Sequence, residues 1–209
     1  YYIDLPGHGN SSSLVLNTEK EWIDLIVEFC ISLKSKYIVL IGFSLGGIIS
    51  LKVSEKLVKQ GYKVSLYMWS TPLMVNGKRS STVFANTLIT FGKYLYKLLK
   101  LPPTINLLNL FKVDLDIDDY QNVLNTNRYV FKLTKKVFNK DIFNIDERIN
   151  FKYIYGDRDI YIKYTKVISE IEKICPNSTV YISGSQHFGH RKGWLNTLKY
   201  IAENEGKNF

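Results

Sequence analysis

Gly42-Phe43-Ser44-Leu45-Gly46-Gly47 constrains this chain more than any other stretch. A continuously apolar run, Tyr37–Ile41, leads into it, as a parallel strand buried on both faces should. An amphipathic helical pattern leaves it at Leu45 and runs to about Gln60, closing at Gly61. A serine in a G-x-S-x-G setting between strand and helix must sit on a sharp, strained turn that lifts its hydroxyl above the carboxyl edge of the sheet. Side chains at Gly42 and Gly46 are expected to collide with neighbouring backbone in so tight a turn. The backbone N–H of Leu45, at the helix start, is expected to point where an oxyanion would form. The plainer alternative is a helix whose N-cap happens to be serine.

The pattern on either side extends this unit. Apolar residues recur at helical spacing from about Thr18 to Lys34, at Trp22, Leu25, Ile26, Phe29, Cys30 and Leu33. Val64–Trp69 reads as a second buried strand, so strand, helix and strand form a βαβ unit with a right-handed crossover. From Thr71 to Ile149 long amphipathic stretches with no clear strand predict a helical insertion. The β rhythm returns at Phe151–Tyr155, with a helix near Lys163–Ile174, a strand at Thr179–Ile182 and a final helix over Arg191–Asn204. The expected fold class is α/β, a mostly parallel sheet flanked by helices: core over 1–70, a helical cap or lid over 71–149, core again over 150–209.

The formal charge of +9 raises nucleic-acid binding, but its source argues otherwise. Of 28 basic residues only Arg79, Arg128, Arg148, Arg158 and Arg191 are arginine, and the lysines are spread along the chain. No nucleic-acid-binding signature accompanies them, so a generally basic surface is expected. Cys30 and Cys175 fit no metal or redox spacing and read as reduced thiols, which suits a cytoplasmic location. No run approaches the ~18 apolar residues of a membrane span.

Several segments together carry a family resemblance. Ile3-Asp4-Leu5-Pro6-Gly7-His8-Gly9-Asn10-Ser11 resembles the D-x-P-G-H-G-x-S loop of the α/β hydrolases, at that family's spacing before the elbow Gly42-Phe43-Ser44-Leu45-Gly46-Gly47. Gly156-Asp157-Arg158-Asp159 and Gly184-Ser185-Gln186-His187-Phe188 resemble its later pieces. The resemblance spans nearly the whole chain and implies a serine hydrolase with an α/β-hydrolase sheet. It also implies that three strands and a helix precede residue 4 in the complete protein, on the order of 60 residues. With them would go the loop that supplies the second oxyanion donor. The shortened sheet is expected to expose an apolar edge.

A serine hydroxyl needs an adjacent base to take its proton. The histidines are His8, His187 and His190. His8 lies before the first helix, where the family uses it to shape the loop. His187 follows the last strand and fits the fold's Ser, acid, His order, with His190 as fallback. Asp159 and Asp157 compete for the acid. The family's G-x-x-D register favours Asp159, leaving Asp157 to cap local backbone. The triad is thus Ser44, Asp159 and His187, with the Leu45 N–H as oxyanion donor.

Such a triad needs no metal or cofactor. Its expected substrate is a small or medium carboxylic ester, cleaved through an acyl-enzyme. Lipase, lysophospholipase, thioesterase or acyltransferase chemistry, and a non-catalytic ligand-binding role, remain open. Asp114–Asp119 begins like a calcium loop but lacks the sixth-position glycine and has Asn125 at the twelfth, which excludes it. Lys93, Lys97 and Lys100 form a basic helical face, read as a wet side of the cap or as a contact with a membrane surface or an anionic substrate. Trp69-Ser70-Thr71-Pro72 is expected to line the pocket mouth. Oligomeric state is not legible.

Overall fold

The computed structural model describes residues 1–11, 16, 18–81, 137, 141–157, 159, 161–183 and 191–206. Helix α1 spans Glu19–Ser32 and starts at a reciprocal capping box: the Glu21 N–H donates to Thr18 Oγ1 at 3.2 Å and the Thr18 N–H to Glu21 Oε2 at 2.9 Å. It ends before the predicted limit because Lys34 turns left-handed, at φ 56°. Its inner face buries Trp22, Ile23, Val27 and Cys30.

Strand β1 (Tyr37–Phe43), helix α2 (Leu45–Lys59) and strand β2 (Lys63–Trp69) form the expected βαβ unit. Beyond them lie β6 (Ile149–Tyr155), a 3-10 turn at Tyr164–Lys166, α3 (Ile168–Ile174), β7 (Thr179–Tyr181) and α4 (Arg191–Gly206). The main sheet has order β1-β2-β6-β7 with every neighbouring pair parallel. Parallel strands all end at one edge, so the segments after β1, β2, β6 and β7 emerge together.

Alternation along the strands builds two separate cores. Ile38, Leu40, Val64, Leu66, Met68, Phe151 and Tyr153 face the helices α1, α2 and α3. Val39, Phe43, Tyr67, Trp69 and Ile154 face the other way, with Trp194, Tyr200 and Ile201 of α4. Burying an aliphatic or aromatic side chain of this kind is worth about 1.5–3 kcal/mol, so both faces contribute heavily. The second face also carries polar groups. The Tyr37 and Tyr67 hydroxyls donate to the buried Glu205 carboxylate, and Asn150 Nδ2 donates to Ser65 Oγ at 3.0 Å. Burial, with Glu205 next, pushes both phenols up, so they stay protonated donors.

The stretch read as wholly helical is not so at its ends. Met74–Val75 (β3), Lys78–Arg79 (β4) and Asp141–Ile142 (β5) form a small three-stranded sheet of order β4-β3-β5. Asn76-Gly77, both at positive φ, make the tight turn of a hairpin too short for a periodicity argument to detect. Most of that stretch, including Lys93, Lys97, Lys100 and the Asp114–Asp119 run, lies outside the described residues.

Among the described residues β1 pairs with β2 alone, and Ile41 on that outer strand is 45% exposed, as an open apolar edge should be. Among them, too, no helix is long and apolar enough to cross a membrane. Cys30 is buried, Cys175 half-buried, and both are free thiols.

Candidate active site

Ser44 joins the last residue of β1 to the first of α2 at φ 50°, ψ −120°. A non-glycine residue there carries about 1–3 kcal/mol of strain and persists only where its surroundings hold it. The holds are visible: the Ser44 N–H donates to the Trp69 carbonyl at 3.0 Å, and the Gly47 N–H donates to the Ser44 carbonyl at 3.0 Å. An ordinary N-cap serine has extended backbone and a side chain accepting from the first turn. Ser44 has neither the backbone angles nor the side-chain cap bond. The plainer alternative therefore fails on geometry.

The glycines divide the work differently from the sequence expectation. A Cβ on Gly42 would lie 2.5 Å from Gly47 Cα and 2.6 Å from the Gly46 carbonyl oxygen, as expected of that position. At Gly46 a Cβ would meet nothing within 4 Å. The second collision belongs to Gly47, where a Cβ would lie 1.9 Å from Thr71 Oγ1. The helix rotates position 46 outward and turns position 47 into the end of β2. Leu45 is the first residue of α2, so its N–H has no intrahelical acceptor, and it stands at the positive end of the helix dipole.

Trp69-Ser70-Thr71-Pro72 does not line an open mouth: all four residues are buried. They form a floor beneath the turn. The Ser70 N–H donates to the Ile154 carbonyl at 3.0 Å, and the Tyr153 hydroxyl donates to the Thr71 carbonyl at 2.9 Å. Ser70 has φ 44°, a second strained residue at the same edge.

Asp159 stands past the end of β6, on the carboxyl edge that also carries Ser44. Its Oδ1 accepts from the N–H groups of Tyr161 at 2.9 Å and Ile162 at 3.1 Å. Asp159 thus caps local backbone, the duty expected of Asp157, while Asp157 is exposed. Burial pushes Tyr161 up to about 12, and the Asp159 charge adds to that. Tyr153 is raised for the same two reasons, burial leading. Both phenols therefore stay neutral near the Asp159 charge.

His187 and the fallback His190 lie outside the described residues. The chain that leads to them is placed: β7 neighbours β6, and beyond its end the Ile182 N–H donates to the Tyr155 carbonyl at 2.8 Å. Strands β6 and β7 both end at the edge that carries Ser44. His8 sits in the loop before α1, its Nδ1 3.3 Å from the Pro6 carbonyl and its ring edge-on to Trp22. Burial lowers its pKa, against opposing hydrogen bonds to Pro6 and Leu5 and the Asp4 charge. Asp4 pins the same loop through the Asn10 N–H, at 3.0 Å.

Sequence reasoning missed two features here. The Thr71–Gly47 contact has no local signal. Trp194 on α4 packs edge-on against Trp69, centroids 4.5 Å apart, and against Phe43 at 5.3 Å. A lone tryptophan in a helical pattern looks like core.

No family model and no curated protein matches the sequence. Solved structures do. A carboxylesterase of Nitrososphaera gargenis aligns with a TM-score of 0.64 at 16% identity, covering 99% of this chain and 80% of that one. The type II thioesterase BorB of the borrelidin biosynthetic cluster aligns at 0.66 and 12%, covering 95% and 78%. The N-acyl homoserine lactonase AidH, complexed with N-butanoyl homoserine, aligns at 0.63 and 15%, covering 96% and 76%. At these identities the likeness is one of fold.

Proposed function

We propose that this chain, which has the α/β-hydrolase fold, is a serine hydrolase acting on a small or medium carboxylic ester through an acyl-enzyme. The observation that carries the reading is Ser44 at φ 50°, ψ −120° with no side-chain cap bond. Strained backbone of this kind clusters at active sites, and Ser44 combines it with a place at the start of a helix on the carboxyl edge of the sheet.

In this reading Ser44 Oγ attacks the acyl carbon while His187 takes its proton. The tetrahedral oxyanion is met by the Leu45 N–H at the helix start, where removal of one such donor typically costs about 10²–10³ in rate. His187 then returns the proton to the departing alkoxide, and water repeats the sequence on the acyl-enzyme. Asp159 orients the imidazole and balances its charge. One of its oxygens is held by the Tyr161 and Ile162 amides, which fixes the carboxylate against rotation. The substrate in this reading is a small molecule, and the triad chemistry requires no metal.

Thioester and lactone cleavage use the same steps, and the thioesterase BorB and the lactonase AidH share the fold. The test is labelling of the full-length protein by a fluorophosphonate, followed by hydrolysis of matched acyl ester, thioester and lactone panels. Ser44-dependent labelling with fastest turnover of short acyl esters is expected. A folded protein in which Ser44→Ala leaves labelling unchanged would end the reading.

A further inference from the structure

Ser44 is strained, so something must keep it so. Its amide is tied to the carbonyl of Trp69 at 3.0 Å, and the residue before it is Phe43. The two rings meet edge-on with centroids 5.4 Å apart, and Trp194 closes the group at 4.5 Å from Trp69 and 5.3 Å from Phe43. Trp69 is 2% exposed, and its backbone cannot shift without moving a buried ring that packs against the other two. Phe43 and Trp69 are also the last paired residues of β1 and β2. The aromatic group therefore grips both strands at the point where the turn begins. The third ring comes from α4, which Tyr37 and Tyr67 tie to the same strands through Glu205.

We propose that Trp194 is a positioning residue that keeps the Ser44 turn in its strained conformation by clamping Phe43 and Trp69 from the α4 side. It acts through the other two rings. The step from positioning to catalysis rests on the serine-hydrolase reading above; the step from Trp194 to the turn does not. Without the indole, Phe43 and Trp69 can rotate into the space it leaves, the Trp69 carbonyl drifts, and Ser44 relaxes toward ordinary backbone angles. A displacement of about 1 Å at a reacting group can cost on the order of 100-fold in rate.

Two readouts separate the clamp from general packing. The first is hydrogen exchange of the Ser44 amide in the full-length protein, which needs no activity. Trp194→Ala should speed that exchange well beyond the change at core amides of β6. Ile201→Ala, a truncation of a buried residue of the same cluster on α4, should loosen the helix and leave the Ser44 amide as protected as its neighbours. The second is kinetics with the ester panel. Trp194→Ala should lower kcat on the order of 100-fold with KM little changed, and Trp194→Phe should restore most of it. Should Trp194→Ala not fold, Trp194→Leu keeps apolar volume without the ring and should show the same selective exchange. Equal exchange at Ser44 in the Trp194 and Ile201 variants overturns the proposal, whatever the activity. Selective exchange in a protein that never labels at Ser44 upholds the clamp and overturns the hydrolase reading instead.

Discussion

A Cβ placed on Gly47 would lie 1.9 Å from Thr71 Oγ1. The end of β2 is thus packed against the first turn of α2 with room for a hydrogen atom and nothing larger. This contact, not one at Gly46, sets how near the helix start and its N–H groups come to the edge where Ser44 sits.

The two glycines should therefore respond in opposite ways to alanine. Gly47→Ala is expected to destabilise the protein by about 1–3 kcal/mol, the usual cost of overpacking a filled site. Gly46→Ala, with open space around its Cβ, should be neutral or stabilising by up to about 1 kcal/mol, the helix-propensity difference. Adding Thr71→Ala to Gly47→Ala should recover only part of the loss, because Thr71 Cβ itself would stand 2.9 Å from the new carbon. Urea midpoints of the variants decide this.

Ser44→Gly should separate stability from activity. Glycine adopts φ near 50° without penalty, so about 1 kcal/mol or more of strain is released. The substitution should raise Tm by roughly 2–4 °C per kcal/mol released in a chain of this size. Fluorophosphonate labelling and ester hydrolysis should vanish together. A fall in Tm would mean that the Ser44 side chain contributes packing that outweighs the strain.

Asp159→Asn tests the acid without dismantling the loop. The amide oxygen can still accept from Tyr161 and Ile162, which now bond to Oδ1 at 2.9 and 3.1 Å. In the proposed mechanism, the charge that orients and balances the imidazole would be gone. Hydrolysis should drop by about 10⁴, as it does when a triad aspartate becomes an amide, with thermal unfolding little changed. Asp157→Asn should leave turnover near wild type. Loss of activity in the Asp157 variant and retention in the Asp159 variant would reassign the acid.

The small sheet is tied to α3 through Glu170, which accepts from Lys78 Nζ at 2.6 Å, Lys173 Nζ at 3.1 Å and Asn76 Nδ2 at 3.3 Å. These partners, Lys78 first, lower the Glu170 carboxyl to about 2. A folded pKa below the unfolded value gives stability that is full above the unfolded pKa and is lost as pH falls toward the folded one. Wild type should therefore lose stability between about pH 5 and about pH 2 more steeply than Glu170→Gln, whose curve should be flatter there. Parallel curves would show that the three contacts do not outlast solvent exposure.

Much of the architecture was legible in advance, and the reasons are local. Tyr37–Ile41 and Val64–Trp69 read as buried strands and Phe151–Tyr155 as a return of the β rhythm, and each lies in a strand of the sheet. The unpatterned pieces were not legible. The β3–β4 hairpin has strands of two residues, a single period of alternation that cannot show a repeat, and β5 pairs with β3 across a long stretch of chain. Trp194 reads as one apolar position among several in α4. Its partners Phe43 and Trp69 lie far away in sequence.

Of the site, the position of Ser44 on its turn follows from six residues and the elements on either side. The identity of the acid was readable only as a choice between two carboxylates in one loop. His187 was assigned by chain order and by resemblance, and it stands outside the described residues.

What the chain determined by itself is whatever depends on neighbours in sequence: strand and helix periods, the glycine at position 42 and the turn that needs it. Only the folded molecule decided that Gly47 rather than Gly46 meets a side chain, that Asp159 caps its own loop, and that Trp194 reaches the floor of the turn. The Gly47 and Trp194 contacts join segments that are distant in sequence and that meet only once β1, β2 and β6 have paired in parallel. The register of that pairing is set by burial over the whole sheet, and no short window of sequence contains it.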